Sequence, residues 1–148
     1  MISAPTARTP ATVADIMSQP ALTVEVGESL WDAWQLLFIS GLRHLIVLDA
    51  SGRCVGLMSD RDILAEIPTT AEHLGSKPVR DLLNRMPFLY ALASDDPQTT
   101  AGVMSSSHTE ALPVVDSNDR LVGIVTETDL VRWISGQDPP RSAFDLPS

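Results

Sequence analysis

The chain has 148 residues and a net charge of −9, with 44% hydrophobic and 20% charged residues, a composition typical of a globular protein with a buried core. The acidic balance argues against nucleic-acid binding, which needs a basic surface, and the apolar runs are far shorter than the roughly 20 residues that span a bilayer. Because no secretion signal is visible and the lone Cys54 excludes an internal disulfide, we expect a cytoplasmic protein that binds neither membranes nor nucleic acids.

The first half of the chain predicts a short amphipathic segment and a turn at Pro20, followed by strand, helix, strand, strand and helix. Ser29 is the expected N-cap of the first long helix, and the last helix begins after Ser59. The turn "ASGR" between the two later strands suits a hairpin. The segments that predict these elements are, in chain order, "VADIM" (13–17), "LTVEV" (22–26), "SLWDAWQLLFISG" (29–41), "HLIVLD" (44–49), "CVGLMS" (54–59) and "DILAEI" (62–67).

The second half repeats this order. Its amphipathic segment "VRDLL" (79–83) lies 66 residues after "VADIM" at 13, a turn follows at Pro87, and Asp95-Asp96 before Pro97 predicts a helix start with acids at its positive end. Its strands and last helix are "LYALA" (89–93), "ALPVVD" (111–116), "LVGIVT" (121–126) and "DLVRWI" (129–134). Identical residues recur at an offset of 67 from positions 45, 47, 49, 53, 55, 56 and 62.

This repeat predicts an α+β protein of two pseudo-symmetric halves that pack against each other. The predicted boundaries are an N-terminal segment (1–12), a first repeat (13–67), a connection (68–78), a second repeat (79–136) and a flexible C-terminal tail (137–148).

One short pattern stands before the last helix of each half, "GLMSDRD" (56–62) and "GIVTETD" (123–129). A hydroxyl residue followed three residues later by an acid predicts a capping box, in which side chains bond to the free N–H groups of a helix start. The same residue types suit a ligand, because a carboxylate can accept both hydrogen bonds of a ribose diol and a hydroxyl beside free N–H groups suits an anion. Capping and ligand binding both remain open, and the two roles are compatible.

Two long stretches carry the pattern, "LIVLDASGRCVGLMSDRDIL" (45–64) and "LPVVDSNDRLVGIVTETDLV" (112–131), with "LTVEVGESLWDA" (22–33) upstream. From about Val13 to Ile134 the chain resembles a pair of CBS domains, an arrangement known as a Bateman module. The resemblance implies two CBS repeats around clefts that bind an adenosine-containing ligand (AMP, ADP, ATP, NAD or S-adenosylmethionine) as a regulator, with no required cofactor. The ligand contacts that it implies are Leu57, Ser59, Arg61 and Asp62, their counterparts Ile124, Thr126, Thr128 and Asp129, and the adenine-cradling positions Thr23, His44 and Ala111.

The two half-sites are predicted to be unequal, with the Arg61 side favouring a phosphate. Arg61 can fork onto a phosphate, whereas its counterpart Thr128 supplies no charge. "LYALA" replaces the Thr-Val usual in the resembled family, so Tyr90 is expected to fill or reshape the second adenine pocket.

The helix at 29–41 is apolar on nearly all faces, whereas a surface helix should show one apolar stripe. Its large side chains could all belong to the local core. We favour burial against a second subunit, because exposed apolar patches mark interfaces and paired CBS modules commonly dimerise through such helices. The predicted interface residues are Trp31, Trp34 and Phe38.

The remaining reactive side chains predict neither catalysis nor a metal site. His44, His73 and His108 show no metal-ligand spacing, and Cys54 in a strand is expected to be a buried, inert thiol. No nucleophile, base and acid are grouped as catalysis requires, so we expect no enzyme.

The sequence therefore predicts a ligand-sensing module that binds an adenosine compound between two repeats and signals its occupancy to an unidentified partner protein. The alternative is a ligand-free dimerisation or adaptor domain whose cleft motifs only cap helices. The sequence does not choose the ligand, the number of occupied clefts or the arrangement of the dimer.

Overall fold

The computed structural model describes residues 11–19, 21–65, 71–83 and 88–137. The predicted turns at Pro20 and Pro87, nearly all of the predicted N-terminal segment, and the predicted tail beyond Gln137 lie outside these residues.

Each half contains the predicted order of strand, helix, strand, strand and helix, preceded by a short helix, which confirms the α+β architecture of two repeats. The first half comprises α1 (Val13–Ile16), β1 (Thr23–Glu25), α2 (Leu30–Ser40), β2 (His44–Leu48), β3 (Cys54–Ser59) and α3 (Asp60–Leu64). The connection and second half comprise α4 (Ala71–Ser76), α5 (Val79–Leu83), β4 (Ala91–Leu92), α6 (Pro97–Ser106), β5 (Ala111–Val115), β6 (Leu121–Thr126) and α7 (Glu127–Ile134).

The two halves form matching three-stranded sheets. In the first, β1 runs parallel to β2, and β2 pairs antiparallel with β3; in the second, β4, β5 and β6 pair in the same way. Both hairpins contain a register shift, between Val47 and Leu48 in one and between Val114 and Val115 in the other. The sheets therefore match in detail as well as in outline.

The long helices begin where the sequence predicts. The Ser29 hydroxyl accepts a hydrogen bond from the Asp32 N–H, 3.1 Å away, and so caps α2. The Asp96 carboxylate caps α6 in the same manner, with Pro97 as the first helical residue. Gly41 ends α2 in a left-handed conformation, at φ = 71°.

The two short helices are exchanged between the halves. The N–H groups of Val13 and Ala14 in α1 donate to carbonyls of the second half, and Val13 is fully buried in the core of that half. Conversely, the N–H groups of Val79 and Arg80 in α5 donate to carbonyls of the first half, and Val79 is buried in its core. Each repeat therefore completes its core with the helix that precedes the other repeat.

Glycines in the repeated pattern allow these exchanged segments to approach the sheets. A Cβ at Gly123 would lie 2.8 Å from the backbone oxygen of Ser18, just after α1, and a Cβ at Gly56 would collide with Leu83 of α5. The glycine of "GLMSDRD" thus serves close packing between chain segments.

The segment predicted as a connection contains α4, which packs against α2 with Leu74 buried in the first core. Between the two halves lies a smaller apolar cluster of Ile46, Cys54 and Val115. Within the described residues, no helix is long and apolar enough to cross a membrane.

Candidate functional site

A cleft of about 310 Å³ lies where the first half meets the segment that leads into β5. It brings together six of the residues predicted to contact a ligand. Five further lining residues come from the second half. The predicted residues are His44, Leu57, Ser59, Arg61, Asp62 and Ala111, and the others are Leu89, His108, Thr109, Glu110 and Leu112.

Strand β3 and the start of helix α3 place Ser59 and Asp62 in this cleft. The Ser59 N–H and hydroxyl donate to Asp62 Oδ2 over 2.7 and 3.0 Å, and the Asp62 N–H donates to Ser59 Oγ over 3.2 Å. The predicted capping box is therefore formed. Asp62 nevertheless remains partly exposed to the cleft.

The cleft also contains an ion pair between the two halves. Arg61 Nη1 lies 3.3 Å from Glu110 Oε1, and the two side chains are 69% and 41% exposed. Glu110 is held at the entrance to β5, where its carbonyl accepts a hydrogen bond from the Glu127 N–H over 3.0 Å. Sequence reasoning missed Glu110. One signal could have found it: its repeat counterpart, Arg43, has the opposite charge.

Half-buried His44 lies at the start of β2. Burial lowers the pKa of its imidazole because the charged form loses hydration; Glu110, Asp60 and Asp62 oppose this shift and Arg43 adds to it. His44 is therefore mainly neutral at neutral pH, when it can both donate and accept a hydrogen bond.

The predicted contacts of the second motif, Ile124, Thr126, Thr128 and Asp129, are not among the residues that line this cleft. Asp129 is only 2% exposed, and its carboxylate accepts hydrogen bonds from Ser18 Oγ at 2.9 Å, the Thr126 N–H at 2.9 Å and Arg132 Nη1 at 3.3 Å. Thr126 caps α7. Through its hydrogen bond with Ser18, Asp129 thus connects α7 to the segment that follows α1.

The remaining predicted contacts outside the cleft have different surroundings. Ile124 exchanges two backbone hydrogen bonds with Ser18, at 2.8 and 3.1 Å, Thr23 pairs with β2, and Thr128 is exposed. The ligand contacts proposed for Ile124, Thr126, Thr128, Asp129 and Thr23 stay predictions.

Tyr90 is not among the residues that line the cleft. Its ring stacks on Phe88 with centroids 5.3 Å apart, and both rings line a separate hollow beside Arg53. Leu89 does line the cleft, where its apolar side chain suits the predicted adenine-cradling role of this segment.

Helix α2 carries the predicted dimer interface. Trp31 and Trp34 are half-buried against the first core, whereas Phe38 and its neighbour Ile39 are 78% and 82% exposed. The apolar surface of α2 therefore lies toward its C-terminal end, centred on Phe38.

Cys54 is buried between the halves, and this burial raises the pKa of its thiol to about 11, which keeps it protonated and inert. Within the described ranges, no three His, Cys, Asp or Glu side chains are grouped so that they could hold a metal ion.

Several solved structures resemble the whole of this arrangement. CBSX2 of Arabidopsis thaliana, solved in complex with AMP, is 31% identical at a TM-score of 0.72 over 85% of this chain and 97% of the other. The CBS domain protein TA0289 of Thermoplasma acidophilum is 32% identical at a TM-score of 0.73, over 84% and 70% of the two chains. The CBS domain pair of MJ0100, solved with 5'-methylthioadenosine and S-adenosyl-L-methionine, is 29% identical at a TM-score of 0.68, over 86% and 98%.

The curated relatives are longer proteins. A homoserine O-acetyltransferase of Methanococcoides burtonii is 32% identical over 82% of this chain, which spans about 24% of that relative's length. The model of the CBS domain family matches residues 13–69 and 79–136, the two halves described above. The chain therefore belongs to the CBS domain family.

Proposed function

We propose that this chain is a regulatory module that binds an adenosine-containing ligand in the 310 Å³ cleft and signals its occupancy to a partner protein. The observation that carries the proposal is the convergence of Leu57, Ser59, Arg61 and Asp62 on one cleft with residues of the second half. The adenosine compounds held by CBSX2 and by the MJ0100 domain pair support it. The chemistry is binding, with no bond made or broken.

Each lining residue has a role that its chemistry supports. Asp62 accepts the ribose hydroxyls, while Ser59 and Arg61 donate to a phosphate or its equivalent. Leu57 and Leu89, both half-buried, offer apolar surface to the adenine ring, whereas Ala111 is fully buried. Because these groups belong to both halves, a bound ligand would favour one relative arrangement of the repeats and so change the surface presented to a partner.

Thermal-shift measurements with AMP, ADP, ATP, NAD and S-adenosylmethionine test this proposal. A ligand at about 100 times its dissociation constant adds roughly 2.7 kcal/mol to the free energy of unfolding. The matched pair Asp62→Asn and Asp129→Asn separates binding from capping, because both residues belong to capping boxes. We expect Asp62→Asn to weaken binding in this cleft about tenfold or more. Asp129 does not line the cleft, so Asp129→Asn should lower stability and leave binding in this cleft unchanged. The absence of any shift up to millimolar ligand would reject the proposal.

The second candidate function is a ligand-free dimerisation or adaptor domain. It is favoured by the complete capping boxes at both motifs and by the exposed apolar end of α2. In that case Asp62→Asn and Asp129→Asn would both lower stability, and no nucleotide would stabilise the wild type or either variant.

With either function, we propose that the chain forms a homodimer through α2 in the cytoplasm, a reducing compartment that suits the free Cys54.

A further inference from the structure

The Arg61–Glu110 ion pair crosses the proposed binding cleft, and both partners line it. Arg61 lies in the first turn of α3, and Glu110 precedes β5 of the other half. The backbone of each residue is held, since the Arg61 N–H donates to Asp60 Oδ1 over 2.9 Å and the Glu110 carbonyl accepts from the Glu127 N–H over 3.0 Å. The two side chains thus extend toward each other from backbone positions that are held by hydrogen bonds.

A guanidinium binds a carboxylate and a phosphate through the same N–H groups. In the structure, Nη1 of Arg61 already donates a hydrogen bond to Glu110 Oε1. A ligand phosphate that binds Arg61 must therefore either displace this carboxylate or lie beside it, and a second negative charge nearby disfavours the latter. A ligand without phosphate meets no such competition.

We infer that Glu110 is a specificity-determining residue of the cleft, whose carboxylate competes with a ligand's phosphate for Arg61. Glu110 thus favours adenosine-containing ligands that lack a phosphate over those that carry one. This inference rests on the proposed function of the cleft.

The charge difference between the repeats supports a role particular to this cleft. The counterpart of Glu110 is Arg43, whose Nε lies 4.0 Å from Asp60 Oδ1 within its own half, and the counterpart of Arg61 is the uncharged Thr128. A carboxylate facing a guanidinium across the two halves is therefore a property of this position and is not repeated at Thr128 and Arg43.

Calorimetric titration of the full chain with adenosine and with AMP tests the inference in four proteins: wild type, Glu110→Gln, Arg61→Gln and the double variant. We expect Glu110→Gln to raise AMP affinity by about 2- to 5-fold, the range of a partly exposed ion pair, and to leave adenosine affinity unchanged. In the Arg61→Gln background the same change should have a clearly smaller effect on AMP, because the competition has been removed and only the repulsion between carboxylate and phosphate remains. Glu25→Gln, an exposed residue of β1 with the same change of charge, controls for the net charge of the protein.

Three results would overturn the inference. Equal changes for adenosine and AMP, or an effect on AMP that persists undiminished without Arg61, would show that Glu110 acts by some means other than competition. An effect of Glu25→Gln as large as that of Glu110→Gln would assign it to overall charge. Failure of both adenosine and AMP to bind any of the proteins would also overturn the inference, and it would reject the proposed site itself if no ligand of the thermal-shift series bound either.

Discussion

At the scale of single residues, His44 shows how burial and charge compete within the cleft. Three carboxylates, Glu110, Asp60 and Asp62, favour its protonated form, yet its pKa is lowered because the loss of hydration outweighs their attraction and Arg43 opposes them. A histidine whose pKa is lower in the folded protein contributes stability above its unfolded pKa, and that contribution is lost as the pH falls through and below 6.5, its ordinary value.

We therefore expect the free energy of unfolding to decrease as the pH is lowered from 7 to 5.5, and His44→Gln to remove part of this dependence. Urea denaturation of both proteins across that range measures the effect. Parallel pH profiles for wild type and variant would contradict the assignment.

At the scale of secondary structure, the exchange of α1 and α5 makes each repeat depend on the other. Ile16 of α1 is buried in the second core, although α1 precedes the first repeat along the chain. Leu82 of α5 is buried in the first core, although α5 precedes the second repeat. Truncation of either side chain leaves a cavity that typically costs about 2–5 kcal/mol.

We expect Ile16→Ala and Leu82→Ala to lower the free energy of unfolding by similar amounts but to loosen opposite halves. Native-state hydrogen exchange can localise the damage: Ile16→Ala should weaken protection of β5 and β6, and Leu82→Ala that of β2 and β3. Loss of protection in the repeat that follows the mutated helix along the chain would contradict the exchange.

The same elements show how far the sequence alone could lead. The order of elements along the chain, the Ser29 cap, the helix start at Asp95-Asp96 and the repeat itself were predicted correctly, because they depend on local periodicity and on side chains close in sequence. The exchange was not predicted, since a short helix of four or five residues carries no sign of which core it enters. The cleft was predicted in part: the repeated motif identified Ser59 and Asp62, whereas Glu110 lies outside the motif and reaches the site only through folding.

At the scale of the whole molecule, the proposed homodimer would bury the exposed end of α2. Phe38 is the best probe of this surface, because it is 78% exposed, whereas Trp31 also packs against the first core and its substitution would disturb folding. In a two-fold symmetric interface each residue occurs twice, so Phe38→Ala removes two buried rings. At about 1.5–3 kcal/mol for each ring, the dimer should weaken by a factor on the order of 100 or more.

Sedimentation velocity over a concentration series measures this change, with Tyr90→Ala as a control at an exposed aromatic residue outside α2. Each copy carries a net charge of −9, so the copies repel one another and added salt should strengthen the dimer by screening that repulsion. Phe38→Ala should remain folded, because so exposed a ring contributes little to the core. A wild-type chain that sediments as a monomer would reject the homodimer. A dimer that Phe38→Ala and Tyr90→Ala weaken equally would place the dimer interface away from α2.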